Sequence, residues 1–248
     1  MPDESNPAVW QNLQIADDFL QNVRGAIPLS IEQIDIMLRL VGASRGEQVE
    51  RFLDLGCGDG LLAAALLSEY PQADGWLAAP SESMLTSARS QLLEHTSRLQ
   101  FLHADLGEAS WVGKLAGGAP FDAIVSGLAM HHLPHERKRQ LYGELFHLLK
   151  PEGIFINIEH VASATRWTES VWNDYMIDAI FGHEMKSSPG KSRTEVAREY
   201  YSRPSAASQV LAPLEVQCDW LREIGFENVE CYLKVLELAV FGGQKPAA

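Results

Sequence analysis

From residue 51 onward, short apolar runs alternate with stretches of helical spacing, and no other feature limits the possible fold so strongly. The runs are RFLDL, ADGWLA, RLQFLHA, FDAIVSGL and GIFINIEH, with helical patterns near 60–70, 81–95 and 134–149 between them. Such alternation argues a parallel sheet covered on both faces, a doubly wound α/β architecture. The helix at 134–149 is the best marked. Pro134 suits its first turn, Glu136 its positive end, and Leu141, Leu145 and Leu148 form one stripe before the stop at Lys150, Pro151 and Gly153.

Other segments decorate this core. Residues 8–41 read as two helices broken at Gly25 and Pro28. Residues 162–205 leave the alternation and carry Trp167, Trp172, Tyr175, Phe181, Tyr200 and Tyr201, with helical spacing first and a looser Ser, Pro and Gly stretch after it. This reads as an insertion over the sheet edge that forms a substrate lid together with the N-terminal helices, or as an amphipathic helix whose Trp167, Val171, Tyr175 and Ile180 pack on the sheet, and the two readings are compatible. A helix at 213–223 and the strands CYLKVL and ELAVFGG close the chain. The expectation is one domain over 1–248, with its core at 45–160 and its closing elements at 213–243.

The formal net charge of −13 repels phosphate backbones and anionic lipid, which disfavours nucleic acid and membrane as partners and favours a small molecule. Hydrophobic residues at 46% and charged residues at 21% supply a core for a monomer or homodimer. MPDESNPAVW has neither the basic nor the apolar region of a signal peptide, and Cys57, Cys218 and Cys231 form no CxxC pair. The expected compartment is the reducing cytoplasm.

FLDLGCGDG, residues 52–60, ends the first run and opens a helix. Glycines let the backbone turn sharply near a ligand, and the following helix aims free N–H groups at the same space. A dinucleotide fingerprint needs a third glycine where Leu61 stands, and Asp54 and Asp59 would repel a pyrophosphate. A ligand with cationic groups suits this loop, and S-adenosylmethionine carries an ammonium and a sulfonium.

With FLDLGCGDG, the segments HADL (103–106), FDAIVSGLAMHHLP (121–134) and LLKPEGIFINIEH (148–160) resemble the motifs of class I S-adenosylmethionine-dependent methyltransferases of the small-molecule type, and CYLKVLELAVFGG resembles their final hairpin. The resemblance implies a Rossmann-like sheet of seven strands, mostly parallel, and methyl transfer that leaves S-adenosylhomocysteine. It also implies that Gly56, Cys57 and Gly58 approach the methionine part, that Asp54 faces the ammonium, that Asp105 accepts from the adenine amino group while Leu106 packs on the ring, and that Pro80 and Ser126 border the same site.

One position departs. Relatives end the second strand in an acid that binds both ribose hydroxyls, and alignment on PSESML puts Ala79 there. A hydrogen bond to a charged group contributes roughly 1.5–3 kcal/mol, so losing two would weaken binding by about a hundredfold or more. Three accounts stand open: Ser81 or water holds the ribose, Ala79 is a substitution introduced to empty the site, or the chain has abandoned the cofactor.

Methyl transfer from a sulfonium is an in-line displacement, and an acidic O, N or C nucleophile also needs a base. His131 and His132 follow the fourth strand, and Glu159 and His160 end the fifth, all at the edge where open α/β sheets bind ligands. No metal site is expected. Between Gly182 and Pro204, Lys186, Lys191, Arg193, Arg198 and Arg203 outnumber Glu184, Glu195 and Glu199; they either attract an anion or form a solvated face. Two further readings compete: a noncatalytic or regulatory protein on this fold, motivated by Ala79, and a tRNA-modifying enzyme, opposed by the net charge.

Overall fold

Strand β1 (Arg51–Leu55) has four of its five residues buried and parallel neighbours on both sides, β2 (Asp74–Ala79) and β4 (Phe121–Gly127). A strand buried on both faces must be apolar throughout, and FLDL nearly is. The computed structural model describes residues 24–248 apart from 47, 116, 188 and 189. With β3 (Leu99–His103), β5 (Leu149–His160), β6 (Glu227–Val235) and β7 (Leu238–Gln244), the sheet has seven strands in the order β3-β2-β1-β4-β5-β7-β6. Pairing is parallel from β3 through β5 and antiparallel in β5-β7-β6. The order reverses between β1 and β4, which opens a crevice at their carboxyl ends.

The strand period of two sorts side chains into two cores. Phe52, Val125, Ile154, Ile156 and Ile158 point to one face and pack with Met37 and Val41 of α1 (Ser30–Arg45), Leu66 of α2 (Leu61–Glu69) and Leu85 of α3 (Glu82–Gln91). Leu53, Leu55, Ile124 and Phe155 point the other way and meet Leu141 and Leu145 of α4 (His135–Leu148). Leu214 and Leu221 of α7 (Leu214–Ile224) complete this second core. The expected strands, the marked helix and the final hairpin are all present. The helix expected at 81–95 ends at Gln91 and continues as a 3-10 turn over Leu93–Arg98. Of the two N-terminal helices, the second is α1, while the first lies outside the described residues apart from its C-terminal boundary.

The lid needs two corrections. Its first helix, α5 (Arg166–Ser187), buries Trp172, Met176, Ile177 and Ile180, whereas Trp167 is 76% exposed and Val171 and Tyr175 face outward. The packed stripe is rotated from the one expected because Trp172, rather than Trp167, meets the sheet edge at Leu238. The second half is not loose: α6 (Arg193–Ser202) begins with a capping box in which Ser192 and Glu195 exchange hydrogen bonds. Val196 and Tyr200 of α6 join the same apolar cluster.

Backbone spacing at the closing hairpin gives a direct test. A Cβ at Gly242 would lie 1.9 Å from the Phe155 carbonyl oxygen across the β5–β7 ladder, while one at Gly143 on α4 would meet nothing within 4 Å. Gly242→Ala is expected to lower stability by more than about 2 kcal/mol and Gly143→Ala to raise it by roughly 0.5–1 kcal/mol, read as urea midpoints.

Candidate active site

Past β1 the chain turns through Gly56, Gly58 and Gly60 with φ of 67°, 56° and 85°, conformations that side chains with a Cβ resist. The amides of Gly56 and Cys57 both donate to the Ala78 carbonyl, at 2.8 and 3.0 Å, which straps the loop to the end of β2. Beneath it the buried Asp54 accepts from the Ala63 amide at 3.2 Å and so holds the first turn of α2. The room expected beside Gly56 is not open. A Cβ there would lie 2.1 Å from the Ala129 Cβ, so this glycine is needed for the loop after β4 to close against the loop after β1.

Ala79 ends β2 with 1% exposure, its methyl inside the first core cluster. Pro80 is half-buried, and its carbonyl accepts from His103 Nε2 at 2.9 Å. Asp105 and Leu106 follow β3 as expected, with Asp105 Oδ1 accepting from the Gly107 amide at 2.8 Å. The sequence reading missed what fixes this turn: Arg137 of α4 donates to the Leu106 carbonyl at 2.8 Å and grips Glu144 with both terminal nitrogens. Ser126 is fully buried and spends its hydroxyl on the Leu55 carbonyl at 2.9 Å. That bond joins β4 to β1 inside the sheet.

The four expected reaction-centre residues do come together. Glu159, with no exposed surface, accepts from His131 Nδ1 at 2.7 Å, the Met130 amide at 2.8 Å and the His160 amide at 2.7 Å. Burial alone would raise its proton affinity, but His131 and the two amides hold it below the usual carboxylate range. His132 turns away and bonds through Nδ1 to Ser208, 3.0 Å from the hydroxyl and 3.3 Å from the carbonyl. Burial, followed by the neighbouring His131, drives its pKa down to about 2. His160 meets Glu237 at 2.6 Å through Nε2, and Glu237 is 2% exposed in the turn between β6 and β7. Sequence reasoning missed Glu237 because its partner lies 77 residues away.

His131, His132 and His160 line a cavity of about 500 Å³ closed by Leu128, Leu238 and the lid side chains Trp172, Met176 and Tyr200. Two of the five basic lid residues are paired with carboxylates. Lys191 reaches Glu199 at 2.6 Å and Glu184 at 3.4 Å, and Arg193 reaches Asp178 at 2.5 Å and Asp174 at 3.3 Å. Arg203, on the cavity wall, instead lies over the Tyr200 ring at 3.8 Å and has no carboxylate partner among the described residues. Among the described residues no group of three or more His, Cys, Asp or Glu could hold a metal ion, and no helix is long and apolar enough to cross a membrane.

Residues 52–153 match the family model described as a methyltransferase domain. That match covers less than half of the chain, so the likeness to methyltransferases is one of this central segment. An uncharacterised methyltransferase of Mycobacterium tuberculosis is 32% identical over 123 residues, 48% of this chain and 57% of that protein, so the match spans little more than half of the relative. A carboxy-S-adenosyl-L-methionine synthase of Nautilia profundicola is 21% identical over 92% of this chain and 91% of its own length. A solved O-methyltransferase-like protein of Nostoc punctiforme shares the fold with a TM-score of 0.62, at 15% identity, over 96% of this chain and 60% of that one. A solved structure of PigF with SAH shares the fold with a TM-score of 0.52, at 18% identity, over 84% of this chain and 54% of that one.

The buried histidines make the fold sensitive to acid. An unfolded chain protonates His132 near pH 6.5, while the folded chain holds it neutral down to about 2. His160 is shifted in the same direction by burial, against the pull of Glu237. Below pH 6.5 the unfolded state therefore binds more protons and stability falls with pH. Between pH 7 and pH 5, His132 alone should cost about 2 kcal/mol, and His132→Gln should flatten that slope in urea titrations.

Proposed function

We infer that the chain transfers a methyl group from S-adenosylmethionine to an O, N or C nucleophile of a small molecule held in the cavity. The observation that carries this is His131: its ring stands between a buried carboxylate and the cavity, on the loop that closes against the glycine turn. When bound, S-adenosylmethionine supplies an electrophilic methyl carbon on a sulfonium.

The residues fit that cofactor at both ends and not in the middle. The left-handed turn at Gly56, Gly58 and Gly60 with Asp54 beneath it suits the methionine part, and Asp105 with Leu106 suits adenine. At the ribose, Ala79 offers only a methyl group. Of the two adjacent histidines, we assign His131 as general base. Glu159 fixes Nδ1–H, which leaves Nε2 of the neutral ring to take the acceptor's proton, and the carboxylate then faces the imidazolium that forms. His132, held neutral and tied to Ser208, positions the lid. Trp172, Met176 and Leu238 keep water from the reacting atoms.

A second reading rests on the relative matched over nearly the full length and on Arg203: the chain makes a carboxylated form of the cofactor from an anionic donor. Mass spectrometry after incubation separates the two, since the second reading requires a nucleoside product heavier by a carboxyl group.

Cofactor binding is tested by calorimetry. S-adenosylhomocysteine should bind and raise the melting temperature, and Ala79→Asp should tighten binding by about tenfold while lowering the stability of the ligand-free protein, because it buries a carboxylate in an apolar cluster. A response to NAD with none to S-adenosylhomocysteine would reject the reading. His131→Ala should abolish most turnover with cofactor affinity retained, and His132→Ala should not do so selectively.

A further inference from the structure

The cavity floor carries two carboxylate-oriented histidines where methyl transfer needs one. His131 Nδ1 meets Glu159 Oε1 at 2.7 Å, His160 Nε2 meets Glu237 Oε2 at 2.6 Å, and the two ring centroids are 5.7 Å apart. A carboxylate only accepts, so each neutral ring donates to its partner and keeps a lone pair on the other nitrogen. Those nitrogens, Nε2 of His131 and Nδ1 of His160, have no hydrogen-bond partner among the described residues and are not sealed off, and both rings line the cavity. Burial keeps His160 on the neutral side, consistent with an acceptor there.

Two acceptors side by side call for a ligand that brings two donors. We propose that the paired histidines form one subsite for a small planar molecule bearing two neighbouring O–H or N–H groups, one bound by His131 and the other by His160. The Trp172 ring stands 5.3 Å from that of His160 and Tyr200 lines the same cavity, aromatic surroundings that suit a flat ligand of that size. Glu237 then acts as a positioning residue, since it selects the tautomer that makes His160 an acceptor. This rests on the cavity being the acceptor chamber of the methyltransferase, and it names the class of acceptor.

The test is binding and needs no turnover. Catechol has two adjacent donors, phenol has one, and 2-methoxyphenol replaces the second donor with an oxygen that can only accept. Calorimetry on the full chain, with and without S-adenosylhomocysteine, should show catechol binding roughly tenfold tighter than either of the others. In His160→Phe the advantage of catechol should vanish while phenol affinity stays within about twofold. Equal affinity for catechol and phenol in the wild type, or failure of all three to bind, would overturn the subsite even if the variant could not be purified. Such a result alongside normal S-adenosylhomocysteine binding would leave the methyltransferase reading in place.

Discussion

Glu159 is the interaction on which the rest of the site depends. Its carboxylate sits at the end of β5 with no exposed surface, and it collects the Met130 amide, the His160 amide and the His131 ring. A carboxylate so buried persists only when donors surround it. Those donors come from the loop after β4 and from β5 itself, so one side chain fixes the distance between the loop and the strand end. The loop in turn presses Ala129 against Gly56, which carries that geometry to the glycine turn. Glycine turn, histidine and cavity wall are thus set by one buried anion.

The lid is coupled to the same point from above. Residues 208–210 lie across the loop after β4, tied by Ser208 to His132 and by the Val210 amide to the His131 carbonyl at 2.8 Å. Lys138, buried in α4 and with its pKa pushed down to about 8 by that burial, donates to the carbonyls of Leu133 and Val210. The segment that follows the lid is thus fastened to the loop that carries the histidines. An enzyme that must exclude water while it aligns a nucleophile benefits from such a link.

The sheet was legible in the sequence because strand burial leaves a period, and FDAIVSGL or GIFINIEH has no other way to be buried. His131, His132, Glu159 and His160 were legible as a group because strand ends at a switch point converge. Which histidine pairs with the carboxylate was not legible: the two are adjacent in sequence, and a turn of the 3-10 segment Met130–His132 decides it. Glu237 and Arg137 were invisible for a related reason, since each acts on a residue far along the chain. The lid stripe was misread because Trp167 and Trp172 are both aromatic on one helix, and only the sheet edge at Leu238 distinguishes them. At Ala79 the absence of an acid was plain, but the burial of its methyl in the first core cluster was not.

A crystal structure of the protein grown with S-adenosylhomocysteine tests the central claim, that one carboxyl edge joins a nucleoside site to the histidine cavity. The account predicts adenine beside Asp105 and Leu106, the amino-acid part across the turn at Gly56 to Gly60, and the sulfur directed past Leu128 toward His131. A nucleoside lodged elsewhere, or a sulfur turned away from the cavity, would contradict it.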